Sequence, residues 1–269
     1  MANKRVEAGR GRKAGTVKSA KKPVNRAFYV VIGVIAIAGI ASLAYLSSRP
    51  KQTTTFAYDS TLPKVQSQGY VIGDAKAPIE VTEFGDFECP QCGRFATLTE
   101  PDVRSRLVAG GQIRYRFIDY PLDMHRNTWN ASIAAACADQ QGKFWEMHDA
   151  IFAAQDQWDG EATSNPNKVL KQVGEPLVPD KSAFDACLDN QSSKPKVQAH
   201  WKLATDLKLP GTPTFLIGSQ QISEFLTYDQ FKKIVDDEIA KGHTTPVPGT
   251  PATPLGDTSK SAQLKKSGT

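Results

Sequence analysis

The chain has 269 residues and a formal net charge of +5, enough length for one or two domains with a sizeable core. The charge is uneven: residues 1–26 hold nine Lys and Arg against the one acid Glu7, whereas the part beyond residue 48 holds 24 basic and 27 acidic residues. A slightly acidic main body gives a nucleic-acid partner no electrostatic footing and excludes that class of function.

Residues 1–26 read as a basic cytoplasmic tail. The run AFYVVIGVIAIAGIASLAYLSS, 27–48, carries no charge, and as a helix it would span about 33 Å, enough for a bilayer's hydrocarbon core. The basic cluster before it predicts a single-pass helix with a cytoplasmic N-terminus and everything after Arg49 on the far side. The competing reading is a cleaved signal peptide, with Ser42-Leu43-Ala44 as the small-x-small site; the long basic region and long apolar run favour an uncleaved anchor. Both readings export the main body. Outside the cytosol thiols oxidise, and four cysteines permit two pairs.

Residues 49–68 are polar and read as a tether. Residues 243–269, rich in Pro, Thr, Gly, Ser and Lys, read as a disordered tail. One folded domain remains over 69–242. Pro78 to Phe84 alternates apolar and polar residues and predicts a half-buried strand running into FGDFECPQCGRF (84–95). A helix follows Cys92, with Pro101 interrupting it and Gly110-Gly111 ending it. Ile113–Tyr120 predicts a second strand. Helices are predicted over 131–140, 143–154, 167–173, 181–189 and 195–207. Strand signal returns at Thr214–Ile217, with Gly218-Ser219 turning into 220–223. Thr227 and Gln230 fit a capping box, and Leu226 with Phe231 a hydrophobic staple, opening a last helix with Phe231, Ile234, Val235 and Ile239 as its buried stripe.

The strand-to-helix position decides the chemistry of Cys89-Pro90-Gln91-Cys92. Cys89 falls at a helix N-terminus, where unpaired N–H groups and the helix dipole favour thiolate over thiol. Pro90 takes the first helical position, where its missing N–H costs nothing. Cys92 sits one turn later and more buried, so Cys89 reads as the exposed attacking thiolate and Cys92 as the resolving thiol. A zinc site would need two further ligands, and none of His125, His148, His200 and His243 pairs with another at ligand spacing; they read as surface or satisfied core residues. No metal and no cofactor is expected.

FGDFECPQCGRF, then AAACADQQGKFWEMHDAIF (134–152), FDACL (184–188) and GTPTF (211–215), in that order over about 70–241, closely resembles the DsbA-like thiol:disulfide oxidoreductases of the thioredoxin superfamily. The resemblance implies an α/β thioredoxin fold with a helical domain inserted over about 122–207. It implies a cis Thr212–Pro213 loop beside the cysteines, whose backbone, with Pro90 and Gln91 nearby, meets the substrate peptide by strand addition. It also matches Glu83 to a strand acid beneath the site that relays protons to or from Cys92; a solvent-facing Glu83 is the competing reading. Cys137 and Cys187 both read as inward-facing, and some members carry a structural disulfide in this region; two buried free thiols are the alternative. Exported protein thiols would be the substrates, and a quinone-linked or vitamin-K-epoxide-reductase-like membrane protein the redox partner.

The strongest oxidants of that family resemble CPHC, with a histidine beside the thiolate. Here Gln91 has no titratable charge and an ionised Glu88 would oppose the thiolate, so a less depressed Cys89 pKa is expected. A thiol reductase or isomerase is the rival enzyme reading, and a thioredoxin-like metal chaperone with copper(I) on the two thiolates the rival of another class.

Overall fold

The computed structural model describes residues 26–47, 54–55, 65 and 68–243. The rest of the basic tail, most of the tether and the tail beyond His243 lie outside the described residues. The chain divides into two compact units, Met1–Lys51 and Gln52–Thr269. In the first, the uncharged run is helical as α1, Arg26–Ser47. Among the described residues no helix is long and apolar enough to cross a membrane; the side chains of Phe28, Leu43 and Leu46, within that run, lie outside them.

The second unit is built on a six-stranded sheet. Its strands are β1 Thr54–Thr55, β2 Tyr70–Ile72, β3 Ile79–Gly85, β4 Ile113–Asp119, β5 Thr214–Ile217 and β6 Gln220–Ile222, in the spatial order β1-β6-β5-β3-β4-β2. Central β3 runs parallel to β4 and antiparallel to β5. The tether expected over 49–68 needs correction, since its Thr54–Thr55 pairs with β6 and its Val65 is fully buried.

The half-burial expected of β3 is also corrected: all seven of its residues are buried. Helices cover both faces, so alternation no longer separates core from solvent. Val81 shares one face with Tyr115 and Phe215, packed with Phe95, Leu107 and Phe231. Phe84 faces the other way, with Ile118, Leu216 and Leu203. The polar residues of β3 are paired rather than hydrated: Glu80 holds the buried Arg116 guanidinium at 2.7 and 3.0 Å.

Cys89 precedes α2, Pro90–Leu98. The helix breaks at Thr99, whose hydroxyl donates to the Leu226 carbonyl at 2.9 Å. After a short turn, α3 (Glu100–Asp102), the chain continues as a π-helical stretch, Val103–Val108. Pro101 has no N–H to donate, which accounts for the interruption at this point.

Six helices lie between β4 and β5: α4 Thr128–Asp139, α5 Phe144–Ala153, α6 Gln155–Trp158, α7 Pro166–Gly174, α8 Lys181–Asn190 and α9 Lys194–Asp206. A disulfide joins Cys137 of α4 to Cys187 of α8. The final helix, α10 Tyr228–Ala240, opens on a complete Thr227–Gln230 capping box, with Leu226 and Phe231 both buried. Its stripe differs from expectation: Ile234 and Ile239 are only partly buried, while Glu238 is fully buried. Glu238 accepts from Ser219 N–H at 2.8 Å and from Gln220 at 2.6 Å. A side chain on Gly218, whose φ is +56°, would lie 2.4 Å from the Glu238 carboxylate, so the turn requires glycine.

The disulfide closes a loop with a sequence separation of 50. Loop-closure entropy alone then assigns it about 4 kcal/mol. Denaturant titration of a C137A/C187A double variant is expected to show a loss of that order with a steeper slope, as the unfolded chain is released from its constraint; a loss under about 1 kcal/mol would remove the structural role.

Candidate active site

Strand β3 ends at Gly85, where an added Cβ would lie 2.3 Å from the Phe117 ring. The chain then turns sharply, with Cys89 N–H donating to the Asp86 carbonyl at 3.1 Å. Cys89 is the N-cap of α2 and Pro90 its first residue. Pro90 and Gln91 are exposed and Cys92 is fully buried. The expectation of an exposed Cys89 is corrected, since it is only 6% exposed. What covers it is the facing loop: the Thr212–Pro213 peptide bond is cis, and the Cys89 thiol lies 3.4 Å from the Thr212 carbonyl oxygen.

Both thiols are free, so the structure presents the reduced dithiol. The two are electrostatically unequal. A hydrogen bond from the Cys92 thiol pulls the Cys89 pKa down to about 6 against the opposing effect of burial; Thr212 and the N–H groups of Cys92 and Gln91 assist. Burial pushes Cys92 well above the ordinary thiol range, and its hydrogen bond to Cys89 and the Cys89 and Glu83 charges add to the rise. The Asp86 N–H, 3.5 Å from Cys92 Sγ, opposes the rise. One negative charge is therefore held on Cys89, with Cys92 as its donor.

Glu83 is 1% exposed, which disposes of a solvent-facing position. It accepts a short hydrogen bond from the Tyr115 hydroxyl of β4. Burial raises its pKa to about 8, with the Tyr115 bond opposing and the Cys89 charge adding. A protonated carboxyl thus sits beneath the cysteine pair at neutral pH.

Three further residues organise the turn. The fully buried Asp86 accepts from Glu88 N–H at 2.8 Å and from the Thr128 hydroxyl at 2.5 Å through one oxygen. Its other oxygen accepts from Leu122 N–H at 2.8 Å and faces His125 Nδ1 at 2.7 Å. Gln155 of α6 donates to the Phe87 and Cys89 carbonyls at 2.6 and 3.2 Å. It stands where Gly93 lacks a side chain, its Oε1 only 2.7 Å from an added Cβ. Glu88, expected to act on the thiolate, is committed elsewhere: its carboxylate accepts from Asn127 and Gly160 N–H, each at 2.6 Å, in the inserted segment. Sequence reasoning missed Asp86, His125 and Gln155. Asp86 alone left a signal, an acid held next to an apolar strand end inside the cysteine motif.

Of the other histidines, His200 bridges Asp119 at 2.8 Å and Gly69 N–H at 3.1 Å, and His243 pairs with Glu238 at 2.7 Å. His148 meets Glu100 and Asp149, and these three offer ligand atoms within 4.8 Å of one another. Arg104 lies 3.3 Å from Glu100 and 2.5 Å from Asp149, so a guanidinium already supplies the cation there.

The sequence profile described as Thioredoxin matches residues 66–237. The chain belongs to the thioredoxin family. Among curated relatives, the Na(+)/H(+) antiporter NhaA 3 of Salinispora tropica is 34% identical over 164 residues, 61% of this chain and 24% of the antiporter. This chain thus spans about a quarter of that relative's length. The probable disulfide bond formation protein D of Bacillus anthracis is 27% identical over 228 residues, 84% of this chain and 100% of the relative. Oxidised BdbD of Bacillus subtilis superposes with a TM-score of 0.59 at 22% identity, covering 65% of this chain and 95% of BdbD. Wolbachia pipientis alpha-DsbA1 gives 0.58 at 22% identity, covering 65% and 92%. This thioredoxin-family chain therefore shares the DsbA-like fold, helical insertion included.

Glu83 gives a signed pH prediction. A carboxyl whose pKa is raised on folding holds its proton more tightly in the folded state. Its contribution is complete below about 4.5 and is lost as pH rises to about 8. Glu83→Gln should therefore gain about 2–4 kcal/mol of stability at pH 8 and nothing at pH 4. Denaturant titrations at the two pH values check this; equal effects at both would contradict it.

Proposed function

We propose that this chain is an extracytoplasmic thiol:disulfide oxidoreductase that introduces disulfides into exported proteins through Cys89 and Cys92. The observation that carries the proposal is the inequality of the two thiols: the stabilised thiolate makes Cys89 the favoured leaving group when the mixed disulfide is resolved, while Cys92 is fully buried and leaves Cys89 as the sulfur a substrate can reach. In the oxidised enzyme a substrate thiolate attacks Cys89 Sγ. The Cys89–Cys92 bond breaks, a substrate–Cys89 bond forms, and Cys92 leaves as a thiolate. Cys92 then takes a proton from the Glu83 carboxyl, which is protonated at neutral pH and buried beside it. A second substrate thiolate attacks the substrate sulfur of the mixed disulfide and expels Cys89 as its stable thiolate. The substrate loses two electrons and the enzyme gains them.

The cis Thr212–Pro213 loop faces Cys89 and offers backbone to an extended peptide, and exposed Pro90 and Gln91 border the same opening. The relatives named disulfide bond formation protein D accord with the oxidising direction. Returning the dithiol to the disulfide requires an electron acceptor, for which a quinone-linked or vitamin-K-epoxide-reductase-like membrane protein has the needed chemistry. The basic residues before α1 and its uncharged sequence support attachment to the membrane with a cytoplasmic N-terminus; release of the full chain by carbonate washing would count against attachment.

Reduced, unfolded ribonuclease tests the reaction. The oxidised full chain is expected to restore ribonuclease activity and Cys89→Ser to abolish the effect; offered scrambled, oxidised ribonuclease instead, Cys92→Ser should attack one of its disulfides and accumulate the Cys89-linked mixed disulfide, releasing a ribonuclease thiolate. Inertness towards ribonuclease combined with rapid insulin reduction would establish a reductase instead.

A further inference from the structure

The Cys89 thiolate forms in an acidic setting. Asp86 and Glu88 both lie on the turn that leads into it, and Gln91 brings no charge. The compensating group comes from the segment after β4. His125 lies in the loop between β4 and α4, its Nδ1 2.7 Å from Asp86 Oδ2. Its side chain is 17% exposed, so the ring is half-buried rather than sealed in the core. Asp86 is also the residue whose N–H faces Cys92 Sγ and whose carbonyl accepts from Cys89 N–H, so the imidazole, the Cys92 sulfur and the Cys89 backbone are fixed to one residue.

Asp86 raises the His125 pKa chiefly through that hydrogen bond, against an opposing effect of burial, and the charges of Asp86, Cys89 and Glu88 all favour the imidazolium. Its own loop sets Asp123 and Arg126 on either side of it. We propose that His125 is a positioning residue of the exchange reaction: held by Asp86, it supplies the positive charge that keeps Cys89 as a thiolate. The dipeptide between the cysteines then need not carry a cation, because the loop beyond β4 delivers one. The inference rests on Cys89–Cys92 being the exchanging pair, but its test needs no substrate.

In the full chain, His125→Gln keeps a donor for Asp86 and removes the charge. Thiolate absorbance at 240 nm should show the Cys89 midpoint moving up by roughly one unit from about 6. The equilibrium constant for reduction by glutathione at pH 7 should fall roughly fivefold. His125→Lys should restore the low midpoint, which a merely structural role would not do. By reciprocity, the His125 imidazole of the unmodified chain, followed by NMR, should titrate higher in the dithiol than in the disulfide form. An unchanged Cys89 midpoint in a folded His125→Gln variant would overturn the proposal, as would a His125 titration identical in the two redox forms. Failure of the ribonuclease assay with these shifts present would sink the exchange function and leave the charge pairing standing.

Discussion

A single negative charge shared between two sulfurs in a closed cleft is the constraint on which the rest of the second unit depends. Burial alone would raise both thiols. Cys89 escapes because it terminates a helix and receives the proton-side hydrogen bond of Cys92, whereas Cys92 has burial against it and a negative neighbour besides. Glu83 answers to the same field: with Cys89 charged, a second buried anion below it is disfavoured, and the carboxyl keeps its proton to about pH 8. The dithiol and the acid thus act as one titrating unit, in which charge on one member holds the other two neutral.

That arrangement depends on a rigid turn, and the rigidity is supplied by the helices inserted between β4 and β5. Asp86 receives Leu122, His125 and Thr128, Glu88 receives Asn127 and Gly160, and Gln155 holds the carbonyls of Phe87 and Cys89. Each bond runs from the inserted segment to the four residues between strand and helix. The insertion is therefore part of the site's construction. Buried acids that accept several N–H bonds are costly to leave unpaired, so the turn and the helical layer should be lost together.

How much of this could be read in the chain followed from the range of the interactions. The β4 and β5 strands and the Thr227–Gln230 cap are local patterns, and they fall where periodicity and capping chemistry put them. The cysteine pair at a strand-to-helix turn is equally local. The burial of β3 was misjudged because its alternation is real but both faces are covered, so Glu80, Thr82 and Glu83 are enclosed rather than hydrated. Asp86, His125 and Gln155 act across 36 to 68 residues of sequence, and no window of residues displays such contacts. Glu88 shows the same limit from the other side: its place next to Cys89 in the chain pointed to the thiolate, whereas its carboxylate reaches into the insertion. The cis Thr212–Pro213 loop came only from family resemblance, since nothing in the local composition separates that proline from the other sixteen.

The central claim is that a stabilised Cys89 thiolate biases the pair toward oxidising others. Trapping the thiols of intact cells with an alkylating reagent, before any reductant is added, tests it most directly. Cys89 and Cys92 should be protected as a disulfide and react only after reduction. Both cysteines alkylated at once, in cells whose Cys137–Cys187 disulfide is intact, would mean a resting dithiol and a reducing role.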